Sequence, residues 1–506
     1  MKTTIIFLAL SCVTLYAADK PNVILIYTDD QGYGDASCLN PDSKFQTPAL
    51  DRLAKEGMTF TDAHTSDSVC TPSRYSILTG RYSWRTRLKR GVFGAETPCL
   101  IEDGRETIAS LLKRSGYATA MIGKWHLGMD FPGDRRHRDW SKPVKDMPLD
   151  KGFEYFYGIP ASLNYGVLAW FEGRHAEVPP TLYTKKKPND VAISDYRIMP
   201  PYKTGINNPD LPDDEGNIKG MLEIAPDFVD HECLTRFTDK TIEWITNRDE
   251  EKPFFVYLPY TSPHKPVIPI DQFLGKSEAG AYGDFMMETD WHIGRILDHL
   301  DEFGLAENTI IIFSSDNGPE VTWPERKKKF EHASNGIYRE GKRSIYEGGH
   351  RVPFFVRWPA RVQAGSSWDE PISQMDVIAT LADLLEQELP SDAAEDSESF
   401  LPALTGAPHI TERHPIVHHD IKGRFAIRDG EWKLVMESKS PKDQRELYQL
   451  SVDPSETANV IKQHPGIEAR LVEALTEIVR SGATIPGKQS ENDTLWWDNL
   501  VWMEEW

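Results

Sequence analysis

The chain has 506 residues, 39% hydrophobic and 27% charged, a globular composition that excludes a largely disordered protein. This length exceeds one ordinary core, so one large domain and one smaller domain are expected. A formal net charge of −21 argues against a general nucleic-acid binder, but leaves room for a local cationic pocket.

The N-terminus reads MKTTIIFLALSCVTLYAADKPN. Lys2, the apolar run Ile5 to Tyr16 and the small pair Ala17-Ala18 make residues 1–18 a signal peptide, too short to span a bilayer. Export to the periplasm or the exterior is expected. Cys12 follows Ser11 in a lipobox-like setting, so a lipid-anchored form is the lesser reading. No other run reaches transmembrane length. Beyond Cys12 the cysteines are Cys38, Cys70, Cys99 and Cys233, without the spacing of a zinc site or a dense disulfide framework. One bridge is allowed, with its pairing open.

Continuous apolar runs at Asn22–Thr28, Ala118–Gly123, Phe254–Tyr260, Thr309–Ser315 and Val352–Trp358 predict parallel strands buried on both faces. Helical patterns lie between and after them: Pro48–Gly57, Glu106–Ser115, Cys233–Thr246, Tyr282–Phe303 and Gln374–Leu385. The alternation predicts an α/β fold, a large mostly parallel or mixed sheet sandwiched by helices. Ala176 to Pro226, rich in proline and charge, reads as a long surface insertion, and Pro390 to Ser399 (PSDAAEDSES) as an acidic linker. Beyond it, Phe425–Ile427 and Lys433–Met436 flank the hairpin signal Asp429-Gly430, and Glu468–Val479 is an amphipathic helix. The expected division is therefore 19–400 for the large domain and 401–506 for a smaller antiparallel sheet-plus-helix domain.

In open α/β sheets ligands bind beyond the carboxyl ends of strands. Four predicted strands end in chemistry: Asp29-Asp30, Lys124 with His126, Ser262-Pro263-His264, and Asp316-Asn317. Singly each is an ordinary turn; together they converge on one edge. Asp29, Asp30, Asp316 and Asn317 are hard oxygen ligands suited to Ca²⁺ or Mg²⁺ rather than zinc. Lys124 and His126 fall on one side of the chain and Trp125 on the other. Cations beside a divalent ion make a pocket for a tetrahedral oxyanion. In SVCTPSRYSILTGRYSW (68–84), Thr71 fits an N-cap, Pro72 the first helical position and Gly80 the position after the helix. That sets Cys70 at the positive end of a helix, either as a buried cysteine or as a thiolate nucleophile. A thiolate beside a hard cation is a chemical mismatch.

Cys70-Thr71-Pro72-Ser73-Arg74 followed by Leu78-Thr79-Gly80-Arg81 matches the type I sulfatase signature C-x-P-S-R-x-x-x-L-T-G-R. Gly116–Thr119 through Gly123–Gly128 resembles that family's second signature. The resemblance continues through Asn22–Asp30, Ser262–His264, Ser315–Gly318, Lys342–Pro353 and Glu446–Asn459, most of the mature chain. It implies an alkaline-phosphatase-like fold and sulfate ester hydrolysis. It further implies that Cys70 is oxidised to Cα-formylglycine by a maturation enzyme, which replaces sulfur by an oxygen nucleophile. By the same resemblance one Ca²⁺ is held by Asp29, Asp30, Asp316, Asn317 and the modified Cys70. Arg74 stabilises the modified residue, and Lys124, His264 and Lys342 grip the sulfate. Asp316 takes the proton of the attacking hydroxyl, His264 protonates the leaving alcohol, and His126 helps regenerate residue 70. One departure is Glu340-Gly341-Lys342 where the family often has Gly-Gly-Lys.

The expected substrate is a sulfated carbohydrate of the galactose or N-acetylgalactosamine type. The alternatives are a phosphate or phosphonate monoester hydrolase of the same superfamily, and a non-catalytic glycan-binding relative using Trp170, Trp323, Trp496, Trp497 and Trp502 for sugar stacking. The basic run Arg81, Arg85, Arg87, Lys89 and Arg90 reads either as an attractor of polyanionic chains or as a solvated charged face.

Overall fold

A computed structural model describes residues 20–135, 137–184, 206–207, 221–407, 413–488 and 490–503. Residues 1–18, expected to be a signal peptide, and most of the expected 176–226 insertion lie outside these residues. The core is a sheet of ten strands: β1 Asn22–Asp29, β2 Met58–Phe60, β3 Ala118–Lys124, β4 Tyr155–Ile159, β5 Phe171–Glu172, β6 His175–Ala176, β7 Phe254–Pro263, β8 Thr309–Ser315, β9 Phe354–Arg357 and β10 Ser366–Trp368. Their order across the sheet is β10-β2-β9-β8-β1-β7-β3-β4-β5-β6. The central neighbours β8, β1, β7, β3 and β4 run parallel. Strand β9, expected to be parallel, pairs antiparallel with β8 and β2. Burial on both faces gives the same continuous apolar run in either direction, so the sequence pattern does not distinguish them.

Helices cover both faces. They include α1 Pro48–Glu56, α2 Cys70–Thr79, α3 Ile108–Arg114, α4 Cys233–Thr246, α5 Gly280–Glu302 and α6 Val377–Leu384. Every residue of β1, β7 and β8 is buried. Helix α2 is unusual in that all ten of its residues are buried, so it is an internal rod rather than an amphipathic cover. It begins at Cys70 with Val69 as the N-cap, two residues earlier than the Thr71-Pro72 pattern suggests, and Gly80 ends it at φ 67.

A second sheet of four antiparallel strands, β11 Ile416–His419, β12 Phe425–Asp429, β13 Trp432–Val435 and β14 Glu446–Gln449, packs with helix α7 Pro465–Ser481 around its own apolar cluster. Gly430 turns the β12–β13 hairpin at φ 56. A buried polar seam joins this sheet to the main body. Arg428 reaches both Asp62 oxygens at 2.7 and 2.6 Å, and Lys433 sits between Glu347 and Glu456 at 2.9 and 2.8 Å.

Two sequence expectations are corrected here. Residues 390–399 are not a linker: Ala393 to Ser397 are buried. Asp396 accepts from Arg85 Nε and Nη2 at 2.8 and 2.7 Å, and from the Tyr82 and Thr484 N–H groups at 2.9 Å each. Acidic composition suggested solvent because the balancing cation lies more than 300 residues away in sequence. Arg85 is therefore not on a solvated face, and neither is Arg81, which lies against Glu102 and Glu395. Four of the five tryptophans are packing residues: Trp170 meets Phe228 at 4.5 Å and Trp502 meets Phe425 at 5.2 Å, with Trp496 and Trp497 in the same apolar cluster as Trp502. The four cysteines described are free thiols.

Candidate functional site

Parallel pairing of β8, β1, β7 and β3 brings their carboxyl ends side by side. Thr28 is level with Ser315, and Asp29 with Pro263. The residues that follow each strand therefore meet: Asp29-Asp30 from β1, His264 after β7, Asp316-Asn317 after β8 and Lys124 at the end of β3. The N-terminus of α2 presents Cys70 to the same place, and Lys342 arrives on the loop before β9. Asp29, Cys70 and Asp316 offer ligand atoms within 4.8 Å of one another.

The hydrogen bonds among the carboxylates, lysines and arginine are charge-assisted. Lys124 Nζ donates to Asp29 Oδ2. Lys342 Nζ donates to both oxygens of Asp30, at 2.5 and 2.7 Å, and Asn317 Nδ2 donates to Asp30 Oδ1 at 2.8 Å. Arg74 Nε and Nη2 donate to Asp316 Oδ2 at 3.0 and 2.8 Å, and the Asp30 N–H donates to Asp316 Oδ1 at 3.0 Å. His264 donates Nδ1–H to the Lys265 carbonyl at 2.6 Å, which turns Nε2 toward Asp30, 3.8 Å away. His126 donates Nε2–H to the Phe93 carbonyl at 3.0 Å, leaving Nδ1 buried without a protein partner. Asp30 and His126 hold φ 70 and 62, left-handed values rare for residues with a Cβ. Strain of this kind, about 1–3 kcal/mol per residue, concentrates at functional sites.

The electrostatics separate the groups. Burial alone would raise the Asp30 carboxyl, but Lys342, His264 and Asn317 more than reverse it and hold it well below the usual range. Asp316 is pushed up to about 7 by burial and by the charge of Asp29, against the pull of Arg74. Burial lowers His264 to about 3, and burial with Lys124 and Arg74 lowers His126 well below its ordinary value. Burial raises the Cys70 thiol, so the thiolate reading of the sequence fails at neutral pH: Lys124 and Lys342 do not offset the loss of water.

A divalent cation fits this donor set. Asp29 Oδ1 and Asn317 Oδ1 are buried with no hydrogen-bond partner, and the donors are hard carboxylate and amide oxygens. A second group, His64, His350 and His418, also lies close together. There the rings of His350 and His418 stack at 3.8 Å and 11°, so no ion lies in both ring planes, and the cluster belongs to the seam under the second sheet.

All ten residues singled out in the sequence therefore lie at or beside one centre. Sequence reading missed Tyr165, whose ring lies 5.2 Å from His126, and Phe93, whose carbonyl orients that imidazole. An isolated aromatic in a loop carries no signal of this. The departure at Glu340 is resolved. Glu340 adopts φ 58, a left-handed value that a glycine takes without strain. A Cβ on Gly341 would come within 2.6 Å of Trp323 Nε1, so the second glycine is required.

Residues 21–387 match the sulfatase family, and residues 336–481 match the N-sulphoglucosamine sulphohydrolase C-terminal family. The chain belongs to the sulfatase family. This sulfatase is 37% identical to an N-acetylgalactosamine-6-O-sulfatase of Bacteroides thetaiotaomicron, across 91% of this chain and 93% of the relative. It is 29% identical to human arylsulfatase A, across 92% and 88%. Among solved structures, a sulfatase from work on glycosaminoglycan metabolism by B. thetaiotaomicron superimposes with a TM-score of 0.78 at 34% identity, covering 91% of this chain and 99% of the other. A phosphonate monoester hydrolase of Agrobacterium radiobacter shares the fold, with a TM-score of 0.59 at 19% identity, 90% of this chain and 95% of the other.

Proposed function

We propose that this sulfatase removes sulfate from a sulfated N-acetylgalactosamine or galactose unit of an exported-glycan substrate, after oxidation of Cys70 to Cα-formylglycine and with one Ca²⁺. The observation that carries the reading is the buried meeting of Asp29, Cys70 and Asp316 under Lys124, Lys342 and Arg74. The bacterial relative at 37% identity supports the sugar.

Formylglycine supplies a hydroxyl nucleophile at residue 70, and Ca²⁺ held by Asp29, Asp30, Asp316 and Asn317 supplies charge to polarise it. Lys124 and Lys342, buried on the carboxylates, neutralise the sulfate oxygens and the charge that builds on them. Asp316, whose carboxylate lies within 4.8 Å of the residue 70 side chain, is placed to take the hydroxyl proton. Arg74 fixes Asp316 through two N–H groups on Oδ2, and the Asp30 N–H holds Oδ1. His264 holds its Nδ1 proton on the Lys265 carbonyl, so Nε2 is the atom that delivers a proton to the leaving sugar oxygen. An arriving sulfate favours the protonated ring there, offsetting the burial that keeps it neutral in the free site. His126 is neutral with Nδ1 free, which suits accepting a proton from the hydroxyl at residue 70. Cys70 is only 2% exposed, so the maturation enzyme acts before the chain has folded. Export follows from the signal peptide; among the described residues no helix is long and apolar enough to cross a membrane.

The test compares sulfate and phosphate release from matched aryl esters, then sulfate release from 6-sulfated and 4-sulfated N-acetylgalactosamine and from carrageenan, agar and ulvan oligosaccharides. Mass measurement of the Cys70 peptide runs alongside. Faster phosphate release, or an unmodified thiol in active enzyme, overturns the proposal.

A further inference from the structure

A cavity of about 700 Å³ opens between the loop carrying Lys342 and the second sheet. It is within the size range of sites that enclose small ligands. Seven basic side chains line it against four acidic ones, on a chain that has 78 acidic residues to 57 basic. Most of the lining cations are already satisfied. Lys342 is on Asp30, Arg339 and Arg424 reach Glu446, and Lys439 is on Asp498. Arg343, Lys422 and Arg90 are different. All three are exposed, and among the described residues their side chains have neither an ion-pair nor a hydrogen-bond partner. Their charges come from three separate parts of the chain and face one space.

Arg343 is the member nearest the chemistry. It directly follows Lys342, and its N–H donates to the Ser68 carbonyl at 2.8 Å, two residues before Cys70. The charges of both Lys342 and Arg343 act on the Tyr165 hydroxyl, whose ring lies 5.2 Å from that of His126. Its φ of 78 is left-handed, a conformation rare for a residue with a Cβ. An unpaired arginine held there aims a positive charge into the cavity without serving any internal contact.

We propose that Arg343, with Lys422 and Arg90, binds a second anionic group of the substrate, carried on the sugar next to the one that loses its sulfate. The substrate class is then a polyanionic glycan chain, not an isolated sulfated sugar. The group is a carboxylate or a second sulfate, which present the same chemistry to a guanidinium. This rests on the sulfated-sugar reading above and adds to it a site outside the catalytic centre.

The experiment measures kcat/KM for four compounds: 6-sulfated N-acetylgalactosamine alone, and the same unit linked to a uronic acid, to a neutral hexose, or to a sulfated hexose. Wild type and Arg343→Gln are compared, with Lys422→Gln as a second variant on another element. A solvent-exposed ion pair is worth a few-fold in affinity and several together more. Wild type is therefore expected to prefer the dianionic disaccharides over the neutral one by about tenfold. Arg343→Gln should cut that ratio about fivefold, mainly through KM, and added salt should shrink it in wild type. The arm that retains the preference tells carboxylate from sulfate. Turnover of all four with a ratio that neither variant changes overturns this inference alone. Turnover of none overturns the sulfated-sugar reading and this inference with it.

Discussion

Replacing Asp396 by asparagine tests whether residues 390–399 are an anchor. Its carboxylate takes Arg85 Nε and Nη2, the Tyr82 and Thr484 N–H groups, and the Thr484 hydroxyl at 2.7 Å. Both Arg85 and Asp396 side chains have no solvent exposure. Asp396→Asn keeps the shape but removes the charge, and turns an N–H₂ group toward groups that themselves donate. Breaking one partner out of a buried ion pair costs about 3–5 kcal/mol, because the remaining charge stays buried. Unfolding entropy near 2 cal/mol/K per residue gives roughly 1 kcal/mol/K for a chain of this length, so the midpoint should fall by about 3–5 °C. Scanning calorimetry at one fixed rate reads this directly. The double variant Arg85→Met/Asp396→Leu should recover much of the loss, since an apolar pair removes both desolvated charges. A single variant melting within about 1 °C of wild type would refute the anchoring argument and restore the linker reading.

Other outcomes are as definite. Cys70→Ala should reduce sulfate release by at least about a thousandfold while leaving the melting midpoint within a degree or two, because only a small buried side chain is trimmed; retained turnover excludes residue 70 as nucleophile. Prolonged chelation should lower initial rates and added Ca²⁺ should restore them; full activity after exhaustive dialysis against chelator removes the ion from the account. Glu288 of α5 is raised to about 8 by burial, with Oε2 on the Ile270 N–H at 2.9 Å and Oε1 without a hydrogen bond, 3.7 Å from His292 Nε2. A raised carboxyl binds its proton more tightly in the folded state, so its contribution is fully present below about pH 4.5 and is lost as pH rises through about 8. Glu288→Gln should therefore be nearly neutral at pH 4.5 and increasingly stabilising toward pH 8, by up to about 1.4 kcal/mol per pH unit. Denaturant titrations across that range check it, and a pH-independent difference contradicts the assignment.

Much of the site was legible in advance because the fold makes strand ends into addresses. Asp29, Lys124, His264 and Asp316 each stand at or just after the end of an unbroken apolar run, and parallel pairing does the rest. Cys70 was placed by its helix signals to within two residues. What could not be read depended on partners distant in the chain. The acidic run at 390–399 looks solvated until Arg85 and Thr484 are beside it, and the basic run after α2 looks solvated for the mirror-image reason. The direction of β9 is invisible when both faces are buried. The left-handed turns at Asp30, His126 and Arg343 are not singled out locally: Asp and His take positive φ more readily than most residues but are common elsewhere in the chain, and Arg has no such preference.

The complete burial of α2 also has a meaning in time. Arg74 and the carboxylate that covers it are 242 residues apart in the chain. At about 5–20 residues per second, synthesis separates them by roughly 12–50 s. During that interval β8 does not exist, so the turn containing Cys70 has no roof and remains open to whatever acts on it. Once Asp316 arrives it pairs with Arg74, and in the folded chain all ten residues of α2 are buried. The closing order of the sheet thus acts as a timer for chemistry at residue 70, and a variant that made β8 dock earlier would shorten it.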